Sequence, residues 1–284
     1  MQIIHTLPLL IREGIWRSID LDMLQAGLNS LNASKDRLVV IYNQGCLTHD
    51  ELNTMLDSLS VSAILLGQGD NVGITQARQA CFEYIWNHFP NVRYISEIHV
   101  DMLFPPNWYA PLLDYLAQSD EPMISPGIVT GYGELQPIGE RMNVSSSSEE
   151  ILAQLKCLSR EQIHEGFVHP VVHKTSVLQE IGGYDTRFLR GKQGYEDDSL
   201  LLGYLYYMGT RTNWRPKCCL QSWVYHLTLA QRMSLSDKQM DFELNEEGLF
   251  QQYGVYGLQR LSEIHRNTVV FDSLIEKWGW KRKM

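Results

Sequence analysis

Along the first hundred residues, short apolar runs alternate with segments whose apolar positions recur at helical spacing. "QIIHTLPLL" reads as a strand ending near Pro8. Leu21, Leu24, Leu28 and Leu31 predict a helix over about 19–31. "RLVVIYN" (37–43) is apolar enough for a strand covered on both faces. Thr48, followed three positions on by Glu51, has the form of a capping box for a helix reaching about Leu59. "SAILLGQ" (62–68) reads as a third strand. "GITQARQACFEYIWNHF" (73–89) reads as a helix with Ile74, Ala77, Cys81, Ile85 and Phe89 along one face. "VRYISEIHV" (92–100) completes a β-α-β-α-β-α-β order. That order predicts an α/β fold with a Rossmann-like, mostly parallel sheet, right-handed crossovers and a ligand site at the strand C-termini.

After Asp101 the rhythm changes. "FPPNWYAPLLDYLAQ" predicts a turn and a helix, and "PMISPGIV" another strand. Residues 131–148, rich in Gly, Pro and Ser, read as a mobile loop. "GFVHPVVHK" predicts a short strand, with His169 and His173 on one face. "TSVLQEIGG" predicts a helix closed by Gly182 and Gly183. "GYEDDSLLLGYLYYMG" (194–209) places three acids at the start of an apolar helix ended by Gly209. Acids in a first helical turn face free N–H groups, which accounts for one or two of them. A third adjacent carboxylate marks a candidate site. "CLQSWVYHLTL" is strand-like and carries His226, and the chain from about Asp237 is helical.

The 284 residues suit one large domain or a domain with an appendage. We divide them into 1–230 and a helical extension, 231–284. The net charge of −9 argues against a general nucleic-acid partner. It also means that an anionic ligand needs local help from a cation, a helix N-terminus or a divalent metal. Five Cys without a CxxC pair read as buried, reduced thiols of a cytoplasmic protein. The first residues lack the basic region and cleavage site of a signal peptide, and no apolar run approaches 18 residues, so no transmembrane segment is expected. The basic end, Lys281-Arg282-Lys283, offers at most a weak peripheral membrane contact.

Four patterns stand in a fixed order: "DNVGITQAR" (70–78), "EIHVDMLFPPNWYAPLL" (97–113), "IGGYDTRFLRGKQGYEDDSLLLGYLYYMG" (181–209) and "VYH" (224–226). Together they resemble the family 2 glycosyltransferases of the GT-A fold, over nearly the whole chain to about residue 230. The resemblance implies an inverting enzyme that moves a sugar from a nucleoside-diphosphate donor, UDP-linked by preference, to an acceptor hydroxyl with Mn²⁺ or Mg²⁺. It assigns Asn71, Gly73 and Arg78 to the nucleotide, with Pro8 and Asn43 at the strand ends that hold the base. Asn43 stands where the family commonly has Asp. The family's D-x-D appears as His99-Val100-Asp101. Asp101 is thereby a metal ligand, and His99 a ligand or a direct contact to ribose or phosphate. His226 matches a further metal or diphosphate ligand. By the same resemblance Asp197 is the general base, and Glu196 orients the acceptor or the loop. Ser199 and Gly203 depart from the family's Asp and Arg.

Physical chemistry supports several assignments on its own. A glycine turn before a helix lets backbone approach a phosphate. Asp101 is a hard oxygen ligand, and His99 is a borderline one that suits Mn²⁺ better than Mg²⁺. Arg190 and Lys192, on either side of Gly191 in "RGKQGY", could close over donor phosphates or form a plain exposed loop. His164, His169 and His173 lack a fourth ligand for zinc and read as structural or acceptor contacts. Two rivals remain open: a non-catalytic nucleotide-sugar-binding protein or partner subunit, and a sugar nucleotidyltransferase. The latter lacks its Gly-rich basic loop after the first strand. The acceptor is open among glycan, lipid carrier, protein and small molecule.

Overall fold

The structure is a computed structural model of the whole chain and describes residues 1–209, 212–228 and 238–281. In chain order its elements begin β1 (Ile3–Leu9), α1 (Trp16–Asn32), β2 (Val39–Asn43), α2 (His49–Ser58), β3 (Ala63–Leu66), α3 (Ile74–His88) and β4 (Tyr94–Glu97). They continue β5 (Met102–Leu103), α4 (Ala110–Gln118), β6 (Met123–Thr130), β7 (Glu134–Gln136), β8 (Glu140–Arg141), α5 (Ser148–Cys157), β9 (Ile163–Glu165) and β10 (Val171–Lys174). The rest are α6 (Thr175–Glu180), α7 (Glu196–Met208), β11 (Lys217–His226), α8 (Lys238–His265) and α9 (Thr268–Lys281). The basic-end residues Arg282 and Lys283 lie outside the described residues.

The sheet runs in the order β3-β2-β1-β4-β10-β6-β11-β5. The first four strands are parallel, as the alternating pattern predicts. β10 then enters antiparallel between β4 and β6, and β11 lies parallel to β6. Two apolar layers cover the sheet. One side is filled by α1, α2 and α4 through residues such as Leu24, Leu28, Leu52 and Leu112. The other is filled by α3, α7, α8 and α9 through Phe82, Leu201, Tyr204, Leu249 and Trp278. The C-terminal helices therefore share a core with the sheet. Fully burying each such side chain contributes roughly 1.5–3 kcal/mol.

Local chemistry explains several boundaries. The Thr48–Glu51 capping box forms in full, opening α2. Gly73, at φ 86, is the cap residue of α3. Gly209 ends α7 at φ 91. Tyr206 and Tyr207 are exposed, so α7 is apolar along its first half and not all round.

Three sequence expectations need correction. The fourth strand stops at Glu97, and residues 98–101 turn away before β5. His99 and Asp101 thus lie in the turn beyond β4 and not on a strand. The apolar Ile98 and Val100 that suggested a longer strand are buried by the turn. The segment read as a mobile loop contains the β7–β8 hairpin, which pairs with β6. Helix α1 begins at Trp16, a turn earlier than its leucine spacing required.

Candidate active site

A cavity of about 360 Å³ opens at the C-terminal ends of the parallel strands. Pro8 and Leu10 reach it from β1, Gln44 from β2, Asn71, Gly73 and Ile74 from the turn before α3, and His99 and Asp101 from the turn after β4. His169, Lys192, Gln193, Asp197 and His226 line the rest, with Ile128, Gln136 and Phe167. Asp101 and Asp197, 96 positions apart in sequence, therefore face one space.

Strand pairing explains how Asp101 meets His226. β11 is antiparallel to β5 with His226 opposite Met102, and the Leu227 N–H donates to the Asp101 carbonyl at 3.0 Å. The side chains follow: His226 Nε2 lies 3.4 Å from Asp101 Oδ1. The His99 ring sits edge-on to His226 with centroids 5.2 Å apart. One ligand atom from each of His99, Asp101 and His226 falls within 4.8 Å of the others.

These residues fit a divalent cation. His99 Nε2 is buried with no hydrogen-bond partner, a costly state that a metal would relieve. Burial, then the neighbouring His169 and His226, hold the His99 imidazole well below its usual range. Such an imidazole is neutral, as a ligand must be. Two imidazoles and one carboxylate suit Mn²⁺ better than Mg²⁺, which prefers an all-oxygen shell.

Beneath the cavity lies a buried ionic network. Glu97, 1% exposed, pairs with Arg78 Nε at 3.0 Å. It also accepts from Tyr184 at 2.8 Å and pairs with His173 at 2.7 Å. Burial alone would raise the Glu97 carboxyl; Arg78, His169 and His173 outweigh it and hold it well below the usual carboxylate range. Tyr204 bonds the far nitrogen of His173 at 2.7 Å. His169 joins this network to the cavity. Its Nε2 stands 3.8 Å from Glu97 Oε2 and 3.6 Å from Asp197 Oδ1.

The sequence-predicted residues divide by placement. Pro8, Asn71, Gly73, His99, Asp101, Asp197 and His226 all line the cavity. Arg78 does not. It is buried beneath the cavity, where it donates to the Thr6 and Ile98 carbonyls and pairs with Glu97. It ties β1, α3 and the end of β4 together instead of reaching a ligand. Asn43 is also absent from the lining: its amide donates to the Leu47 carbonyl and accepts from the Gly45 N–H, shaping the loop after β2. Its neighbour Gln44 lines the cavity in its place and accepts from the Gly73 N–H at 3.2 Å. Glu196 is 3% exposed in the first turn of α7 and turned from the cavity that Asp197 lines.

Sequence reading leaves His169 open between a structural role and an acceptor contact, and misses Gln44 and Gln193 as lining residues. The signal for His169 was the close pair of imidazoles in "HPVVH". One of them, His173, is fully buried on Glu97, while the other reaches the cavity.

No protein-family model matches the chain, and no curated protein matches it in sequence. Solved structures do match in shape. Residues 1–349 of S. aureus TarS in complex with UDP superpose with a TM-score of 0.56 at 9% identity, over 94% of this chain and 72% of that one. The same protein with UDP-GlcNAc gives 0.55 at 10% identity, over 95% and 73%. GalNAc-T7 with UDP, GalNAc and Mn²⁺ gives 0.58 at 13% identity, over 97% of this chain and 54% of that one. This chain spans 43% of a longer TarS chain. At these identities what is shared is the fold, and the strand order, the C-terminal strand-end cavity and these superpositions agree on it: the chain has the GT-A glycosyltransferase fold.

Proposed function

We propose that the chain is an inverting glycosyltransferase of the family 2 type, moving a sugar from a UDP-linked donor to an acceptor hydroxyl. One observation carries the reading: Asp101, with two imidazoles beside it, and Asp197 line the same cavity. The neighbours that hold UDP, UDP-GlcNAc, or UDP with Mn²⁺ support the donor class.

In this reading the nucleotide lies along Pro8, Gln44 and Asn71, and its diphosphate faces the Gly73–Ile74 start of α3. Asp101, His226 and His99 would hold Mn²⁺ or Mg²⁺, which supplies charge neutralisation to the leaving diphosphate. Asp197 takes the proton of the acceptor hydroxyl. The hydroxyl oxygen attacks the anomeric carbon, the carbon–phosphate oxygen bond breaks, and UDP departs with its electron pair. His169, between Asp197 and Glu97, orients the base. The apolar wall of Ile128, Phe167 and Val168 excludes water beside it. Glu196 supports the first turn of α7 and acts through it.

The domain boundary near residue 230 belongs to the same proposal, with α8 and α9 covering the acceptor side of a 1–230 catalytic domain. Five free cysteines fit a reducing, cytoplasmic setting. No helix among the described residues is long and apolar enough to cross a membrane.

The test is donor turnover. Purified protein with Mn²⁺ is offered UDP-, GDP- and dTDP-sugars, and release of nucleoside diphosphate is followed. The proposal expects a UDP-sugar to be consumed and Asp101→Ala to stop it. Consumption that survives Asp101→Ala, or none with any donor, contradicts it.

A further inference from the structure

The loop between α6 and α7 is gripped from both sides. On one side stands α8. Asn245, fully buried, accepts from the Gly191 N–H at 2.6 Å and donates to the carbonyls of Gly191, Gln193 and Gly194 at 3.2, 3.3 and 2.8 Å. One helical turn earlier, Asp241 accepts from the Lys192 N–H at 3.0 Å. Helix and loop touch so closely that a Cβ at Gly191 would lie 2.2 Å from the Asp241 carbonyl oxygen. On the other side stands α3. The Lys192 carbonyl accepts from the Ile74 N–H at 2.8 Å, and a Cβ at Gly73 would lie 2.4 Å from Lys192 Cα.

This grip has a consequence at the cavity. Lys192 and Gln193 both line it. Gln193 is 6% exposed, and its amide nitrogen is buried with no hydrogen-bond partner. The Lys192 ammonium makes no ion pair among the described residues. A clamped loop that presents a free cation and an orphaned donor beside a helix N-terminus is arranged for an anionic ligand. A side-chain amide with four backbone bonds holds that arrangement at little entropic cost, because the loop is ordered before the ligand arrives.

We infer that Lys192 and Gln193 form a subsite for the donor diphosphate, and that Asn245 of α8 is the positioning residue that sets it. The inference rests on the nucleotide-sugar reading above. It makes the C-terminal helices part of the donor site, in addition to any cover they give the acceptor.

The test is UDP affinity by calorimetry, in Mn²⁺, for the full chain and for Lys192→Met, Gln193→Leu, Asn245→Asp and the Lys192→Met/Asn245→Asp pair. Asn245→Asp keeps the acceptor for Gly191 and sets a carboxylate against three carbonyls. The inference expects Lys192→Met and Asn245→Asp each to weaken UDP about tenfold, as loss of one charge-assisted contact does. It expects Gln193→Leu to weaken UDP as well, and the Lys192→Met/Asn245→Asp pair to lose less than the product of the two single losses. Unchanged affinity in Asn245→Asp, or losses that multiply in the pair, overturns the inference and leaves the donor reading intact. A wild-type chain that binds no UDP overturns the donor reading and the inference with it. Should Asn245→Asp fail to melt cooperatively, Asp241→Ala takes its place under the same criterion, since it removes only the acceptor of the Lys192 N–H.

Discussion

The ring of His169 stacks on that of His99 with centroids 4.6 Å apart and planes 23° from parallel. This contact joins the two halves of the site. On one side of it stand the carboxylate and imidazole of Asp101 and His226; on the other stands Asp197, 3.6 Å from the His169 ring. Burial works against a charge on His169, but Asp197 and Glu97 outweigh it and raise its imidazole. His169→Gln keeps a polar group and loses the stacked ring. Orienting partners of this kind are worth about 10–100-fold when removed. The expected outcome is a fall of that order in kcat with UDP affinity nearly unchanged, read by steady-state kinetics beside calorimetry. An unchanged kcat would remove His169 from the account.

Asp197 carries the base assignment. Asp197→Asn preserves shape and removes the proton acceptor. Transfer to an acceptor should be abolished, by about 100-fold or more, while UDP affinity stays within about twofold. Loss of both would show that Asp197 belongs to the donor site and not to the chemistry.

The Arg78–Glu97 pair predicts a stability effect. Both side chains are 1% exposed. Arg78→Met leaves the Glu97 carboxylate buried with only His173, His169 and Tyr184 around it. Breaking one side of such a pair costs about 3–5 kcal/mol. The denaturant midpoint should fall accordingly, with the m-value unchanged. An exposed, ligand-facing arginine would instead lower UDP affinity and leave stability alone.

His5 predicts a pH effect. It is fully buried between Ser96 Oγ and the Asp36 carbonyl, and burial, only partly offset by Asp36, pushes its imidazole from 6.5 down to about 4. The unfolded chain takes up this proton near pH 6.5, the native chain only near 4. Stability is therefore full above 6.5 and falls as pH drops from 6.5 to 4. The loss approaches about 3 kcal/mol. Chemical denaturation from pH 7 to 4 should show this slope in the wild type and a shallower one in His5→Asn. Equal slopes would place the acid sensitivity elsewhere.

Much of this was legible before any coordinates. The parallel β3-β2-β1-β4 block follows from apolar runs alternating with helical spacing, and α2 from Thr48 and Glu51 alone. Pro8, Asp101 and His226 are legible as cavity residues because motif order marks strand ends, and Asp197 because the run of acids opens a helix. Asn43 is misplaced because sequence gives the strand end but not which neighbour turns inward, and Arg78 because helical spacing does not say which partners a buried guanidinium meets. The register at β2 puts Asn43 into its own loop and Gln44 into the cavity. The extent of β4 was hidden by Ile98 and Val100, whose burial in a turn looks like strand alternation. The hairpin in 134–141 was hidden because Gly and Pro mark its turns and little else marks its short strands. The grip of Asn245 on residues 191–194 could not be read at all, since it joins segments more than 50 positions apart with no motif in either.

The central claim is that a divalent cation at Asp101, His226 and His99 and a UDP-type donor occupy one cavity together. The most direct measurement is UDP affinity by calorimetry with and without Mn²⁺, in the wild type and in Asp101→Asn. The account predicts that Mn²⁺ tightens UDP binding by about tenfold or more in the wild type, and that Asp101→Asn removes this gain while the metal-free affinity stays the same. A UDP affinity indifferent to Mn²⁺, or a gain that persists in Asp101→Asn, would contradict it.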